Sequence, residues 1–141
     1  MSKPTKILYA FIAVCILALV LNAPGMMTGL KHKKAVEAVF HDYSVALVTH
    51  DYERAFAHAD EGFKSASPIA VFTDQQRELE LRFGTLKSMS KGETFVHGKG
   101  SPMQWTALVE AICKYEKTDV RFVYEFHYEK SEWRLFGYRR L

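Results

Sequence analysis

The chain has 141 residues, 48% hydrophobic and 25% charged, which suits one domain with an appendage and excludes a disordered chain. Its net charge is +3, but from Ala35 onward 14 lysines and arginines face 16 acids, a balance of −2. The basic excess therefore belongs to the N-terminal region, and no basic face points to nucleic acid. Cys15 and Cys113 are the two cysteines, one in an apolar run and one in the domain, so no disulfide staples the domain.

Ile7 to Leu21 (ILYAFIAVCILALVL) is apolar throughout, and residues 7–27 carry no charge. About 20 such residues span a bilayer core as a helix, because its backbone bonds close internally. The expectation is an N-terminal membrane anchor over residues 1–27. The rival is a cleaved signal peptide with Lys3 and Lys6 as its basic start. Cutting after Ala23 leaves Leu21 at the third position back and Pro24 just past the cut, and cutting after Gly25 suits the small-residue rule better. A lipoprotein at Cys15 is disfavoured by the bulk of Val14. The short tail before the apolar run reads as a signal-anchor, placing the C-terminal domain outside the cytoplasm, periplasmic in a bacterium, or secreted if the segment is cut. Lys31, Lys33 and Lys34 pull the other way, and a cytoplasmic domain with a basic juxtamembrane patch stays open.

Gly25 to Gly29 reads as a break, residues 28–34 as a basic linker and residues 35–141 as one domain. From Lys31 the period is helical, with Val36, Val39, Phe40, Tyr43 and Leu47 on one stripe. Asp51 is placed to cap a helix through YERAFAHA, and Ser67-Pro68 marks another start. Thr73 to Gln76 has the form of a capping box opening a helix that carries Leu79 and Phe83 and stops at Gly84. After Gly84 the period becomes two. Strands are expected within Leu86–His97, over Gln104–Glu116 and Val120–Tyr128, and from Trp133 to Arg140, with turns at 98–102 and Lys130-Ser131. Helices first and strands after predict an α+β domain: helices packed on one face of a curved antiparallel sheet of about four strands.

The helix DYERAFAHAD, the Gly84-Thr-Leu-Lys87 step and the long strands closing on EKSEWRLFGYRRL together resemble the cystatin-like fold. More narrowly they are similar to the nuclear-transport-factor-two-like superfamily, among its small membrane-anchored or secreted domains, over Lys31 to Leu141. The resemblance implies a cone between the long helix and the sheet. It also implies a choice among ketosteroid-isomerase-like enzymes, ligand carriers and assembly modules, in which fold alone does not decide.

In the enzymes of that superfamily an acid or histidine inside the cone moves a proton. Here the candidates are His41, Asp42 and Tyr43 on the first helix with Glu125 and His127 on a strand. Against them, His41 and Asp42 fall beside the apolar stripe, and Glu125 and His127 alternate away from the aromatic face. No catalytic set is assigned. His41, His50 and His58 lack the one-turn spacing of metal ligands, so no metal is expected. Cys113 reads as a small core residue, and no cofactor motif is present. The aromatics Tyr43, Phe122, Tyr124, Phe126 and Trp133 form either a ligand pocket or plain core.

The sequence therefore predicts a non-enzymatic, single-pass, membrane-anchored module outside the cytoplasm, held by residues 7–27 and binding a protein partner, a second copy of itself or a small ligand. The alternatives are a small-molecule enzyme or lipid carrier using the cone, and an accessory subunit of a membrane complex.

Overall fold

In the computed structural model the backbone is described for residues 3–141, and side chains for residues 9–21 and 25–141. The chain forms two units, Met1–His32 and Lys33–Leu141. Helix α1 (Lys3–Val48) begins in the first and ends in the second.

In the first unit every side chain from Tyr9 to Leu21 is exposed. Parts of the expected span, residues 7, 8 and 22–24, have side chains outside those described. Among the described residues no single helix is long and apolar enough to cross a membrane; Tyr9–Leu21 and Gly25–Val48 meet the criterion only when taken together as a broken pair. The break expected at Gly25 to Gly29 is not there. That stretch is helical, and a methyl on either glycine would meet nothing within 4 Å. Glycine weakens a helix by roughly 1 kcal/mol against alanine without ending it.

The second unit is the α+β domain. At the end of α1 the stripe Val36, Phe40, Tyr43 and Leu47 is buried, with Ala46 completing it and Val39 at its margin. Helix α2 (Tyr52–Ala57) is capped as expected, the Asp51 carboxylate accepting from Arg54 N. A short helix that the periodicity does not show, α3 (Glu61–Ala66), is opened by the buried Asp60, whose carboxylate accepts from Phe63 N at 2.6 Å. Helix α4 (Ile69–Phe83) starts directly after Pro68. The capping box at Thr73 to Gln76 is therefore corrected: that segment lies one turn inside α4, where backbone donors already have partners and the glutamine is released for other contacts. Gly84 ends α4 at φ +86, and its N–H reaches Glu80 O. Glu80 then accepts from Leu86 N and from His50 Nε2, both through Oε1. One carboxylate thus ties α4 to the first strand and to the turn after α1.

The strands β1 (Leu86–Lys99), β2 (Gln104–Tyr115), β3 (Asp119–Glu129) and β4 (Glu132–Arg140) form one antiparallel sheet in the order β1-β2-β3-β4. Lys130 and Ser131 both take positive φ, the backbone of a two-residue hairpin turn that matches strand twist. Along β2 and β3 the inward positions Ala107, Val109, Ala111, Cys113, Phe122, Tyr124 and Phe126 meet the α1 stripe. Phe40 and Tyr43 both pack against Tyr124, with ring centroids 5.4 and 5.5 Å apart.

Two irregularities shape the edge. In β4 the register steps from Leu135 opposite Phe126 to Gly137 opposite Glu125, which leaves Phe136 as an extra, unpaired residue. Such a bulge bends the strand and resets which side chains face inward, so Leu135 and Tyr138 both turn towards the core. Beyond β4, residues 58–60 add a short parallel bridge: Leu135 N donates to His58 O and Asp60 N to Leu135 O.

Candidate functional site

Past that bridge the chain leaves the β4 edge as α3, and a groove of 730 Å³ opens between α3 and α4 on one side and β3 and β4 on the other. Its apolar wall is Phe63, Ala66, Leu79, Phe122, Phe136 and Tyr138, and Gln75, Glu78 and Arg82 of α4 supply polar groups together with Ser67 just before that helix. Two glycines, Gly62 and Gly137, line it as well, and a methyl on Gly137 would meet nothing within 4 Å. The rings are mutually braced, with Tyr138 6.3 Å from Phe63 and 6.1 Å from Phe122 between centroids.

A polar relay sits at the floor. The buried Gln76 amide donates to Tyr138 Oη at 2.9 Å, and Tyr138 Oη donates to Gln75 Oε1 at 3.2 Å. Burial pushes the Tyr138 phenol above its ordinary value, so it stays a neutral donor and acceptor. A concave, mostly apolar site with a few fixed polar groups, in the size range of small-molecule pockets, can hold an apolar or amphipathic molecule with a polar end near α4.

Of the five aromatics singled out from the sequence, Phe122 lines the groove. Tyr43, Tyr124, Phe126 and Trp133 are packed in the core, each no more than 4% exposed. Among the described residues Tyr43 Oη has no hydrogen-bond partner, and desolvation drives its pKa upward, as it does for Tyr124. Cys113 is also core, its thiol pushed up to about 11 by burial, with Sγ 3.7 Å from Tyr124 Oη. This is the chemistry of an inert thiol.

Of the acid–base candidates only Glu125 and His127 are brought together, away from the groove wall formed by α3 and α4. His41 is exposed and Tyr43 is in the core. Asp42 binds Arg54 through both carboxylate oxygens and His58 Nε2 at 2.5 Å. The Arg54 hydrogen bond, then that of His58, holds the Asp42 carboxyl at about 2. Glu125 and His127 lie on the opposite, outward face of the sheet. There His127 Nε2 donates to Glu125 Oε1 at 2.8 Å, and its ring stacks on Phe136, centroids 4.0 Å apart. The histidines considered as ligands are engaged separately, His50 with Glu80 and His58 with Asp42.

Sequence reasoning did not find Phe63, Gln75, Gln76, Leu79, Arg82 or Tyr138 as a site. The signals available were Gln75-Gln76 on one helical turn and Gly137 inside an aromatic strand, which marks a bulge or a close approach.

No family model matches the chain, and no curated protein does. The solved structure of Bd1075 from Bdellovibrio bacteriovorus is similar, with a TM-score of 0.56 at 12% identity over 78% of this chain and 40% of that one. This chain thus spans less than half of that protein's length, and the likeness concerns fold alone.

Proposed function

We propose that this chain is a non-enzymatic, single-pass membrane module of the cystatin-like class whose domain, outside the cytoplasm, binds a small amphipathic ligand in the β4-edge groove. The observation that carries the reading is the groove itself: 730 Å³, walled mostly by apolar and aromatic side chains, with Gln75, Glu78 and Arg82 of α4 prominent among its few polar groups. Support for the anchor is the uncharged run at residues 7–27 and the exposure of every side chain from Tyr9 to Leu21, since exposed apolar helix surface is stable against lipid and costly against water. None of the acid–base candidates His41, Asp42, Tyr43, Glu125 and His127 lines the groove, which favours binding over proton transfer there. A cystatin-like class fits the end of α1, Val36 to Leu47, packed on a four-stranded antiparallel meander.

A second reading, docking of a protein partner or a place in a membrane complex, draws on Phe95, Leu108 and Ile112, which stand exposed on the outward face of the sheet.

The full chain, reconstituted in lipid nanodiscs, should bind an apolar fluorescent reporter such as N-phenylnaphthylamine saturably. Leu79→Trp, which fills the groove, should abolish the saturable component. Equal binding by Leu79→Trp, or none by the wild type, overturns the ligand reading. Orientation is tested separately by a reporter fused at Leu141 that works only in the cytoplasm; its activity would reverse the assigned topology.

A further inference from the structure

On the outward side of the β4 edge, Asp60, His127 and Glu129 converge, with one ligand atom of each lying within 4.8 Å of the others. They come from distant parts of the chain. His127 and Glu129 are alternate residues of β3 and share a face, while Asp60 is brought alongside by the bridge between Ala59 and Leu135.

We propose that these three side chains form a binding site for a divalent first-row transition metal ion. The donor set is one imidazole and two carboxylates, the mixed nitrogen and oxygen set that suits such ions. Three further features fit it. Asp60 is 6% exposed, and among the described residues no lysine or arginine pairs with it, so its charge lacks the partner that burial demands. One cap bond to Phe63 N uses only part of its accepting capacity. Two carboxylates this close repel each other, and a dication neutralises both.

The histidine is prepared in the manner of a metal ligand. Glu125 accepts from one ring nitrogen at 2.8 Å, which fixes the tautomer and leaves the other nitrogen its lone pair. Stacking on Phe136 sets the plane of the ring. The cross-strand neighbour Arg134 is turned aside, donating to Ala57 O and paired with Glu132. Three protein ligands leave open positions for water or for a ligand atom.

The test is titration of the full chain in mild detergent with Zn²⁺ at neutral pH, by competition with a chromophoric chelator and by thermal unfolding. One ion per chain should bind, and the unfolding midpoint should rise as Zn²⁺ exceeds its dissociation constant. Glu129→Gln, on an exposed side chain, and His127→Ala should each remove binding. Asp60→Asn should weaken it while keeping the helix cap, since asparagine caps as well as aspartate. Glu125→Gln should weaken it about 10- to 100-fold. His97→Ala, outside the cluster, should bind as the wild type does. Absence of saturable binding, or wild-type affinity in both Glu129→Gln and His127→Ala, overturns the site. So does loss of binding in His97→Ala.

Discussion

The relay from Gln76 through Tyr138 to Gln75 makes a quantitative claim about what holds the groove in shape. Tyr138→Phe deletes only the phenolic oxygen and keeps the ring contacts to Phe63, Phe122 and Tyr124. Gln75 is exposed and regains its hydrogen bond from water, so its loss costs little. Gln76 is 7% exposed, and its amide N–H is left without the Tyr138 oxygen. A buried donor stripped of its partner costs about 1–3 kcal/mol. Gln76→Met keeps the length of the side chain and removes the donor, while Tyr138 still donates to Gln75, so the net loss is about one hydrogen bond, roughly 1 kcal/mol. In the double variant the stranded amide is gone, and the sum of the single losses overestimates the total by about 1–2 kcal/mol. Urea unfolding of the full chain in mild detergent reads this out, because the only two tryptophans, Trp105 and Trp133, both lie in the α+β domain. With a slope of roughly 2 kcal/mol per molar, Tyr138→Phe should lower the midpoint by about 1 M. Single losses that add to within about 0.3 kcal/mol would show that the two groups do not act as a pair, and the relay would be an incidental contact.

Asp42 offers a test at acid pH: its folded carboxyl titrates at about 2 against an ordinary 3.8, through Arg54 first and His58 second. A depressed folded pKa gives stabilisation that is complete above about 4 and is lost as pH falls through about 2. The stability advantage of the wild type over Asp42→Asn should therefore shrink between those values, and an advantage that persists undiminished at pH 2 would contradict the pairing. Gly84→Ala places a methyl 2.6 Å from Glu116 Cβ at φ +86, and should cost at least the 1–3 kcal/mol typical of such backbone strain. Gly92→Ala, with contacts no closer than 3.5 Å, should stay within about 0.5 kcal/mol, and equal effects in the two would refute the strain argument.

Where one period governs a long segment, the sequence was readable. Helix-to-strand change at Gly84, four strands and the Lys130-Ser131 turn all follow from alternation broken by turn residues, and the α1 stripe follows from three- and four-residue steps. Helix α3 was not readable because six residues, EGFKSA, are too few for a periodic stripe; it rests on the Asp60 cap and on Phe63 packing against Phe56 and Phe72. The start of α4 was readable at Ser67-Pro68; a second start was wrongly read at Thr73 because Thr73-Asp-Gln-Gln76 satisfies the capping rule whether or not its donors are orphaned. Tyr138 was hidden by the bulge, since strict alternation from Trp133 carries Gly137 to the inside. The cluster of Asp60, His127 and Glu129 was hidden for a different reason: Asp60 reaches the β4 edge only through the bridge between Ala59 and Leu135, which leaves no trace in local pattern.

The same bulge accounts for why the aromatics that dominate the sequence are not the ones at the groove. Tyr124 and Phe126 lie on a central strand under α1, where helix and sheet close on each other and leave them no more than 3% exposed. Among the described residues the outer neighbour of β4 is the short bridge at Leu135, and no strand covers the edge beyond it. Phe136, displaced by the bulge, stands 47% exposed at the lip, and Gly137 contributes no side chain to fill the gap. The opening thus arises where regular pairing ends, and α4 brings Gln75, Glu78 and Arg82 to the side that the sheet leaves unfilled. On the proposed function, an opening at an irregular strand edge, with the core closed, suits a module that selects a ligand by shape and polar end better than one that activates it chemically.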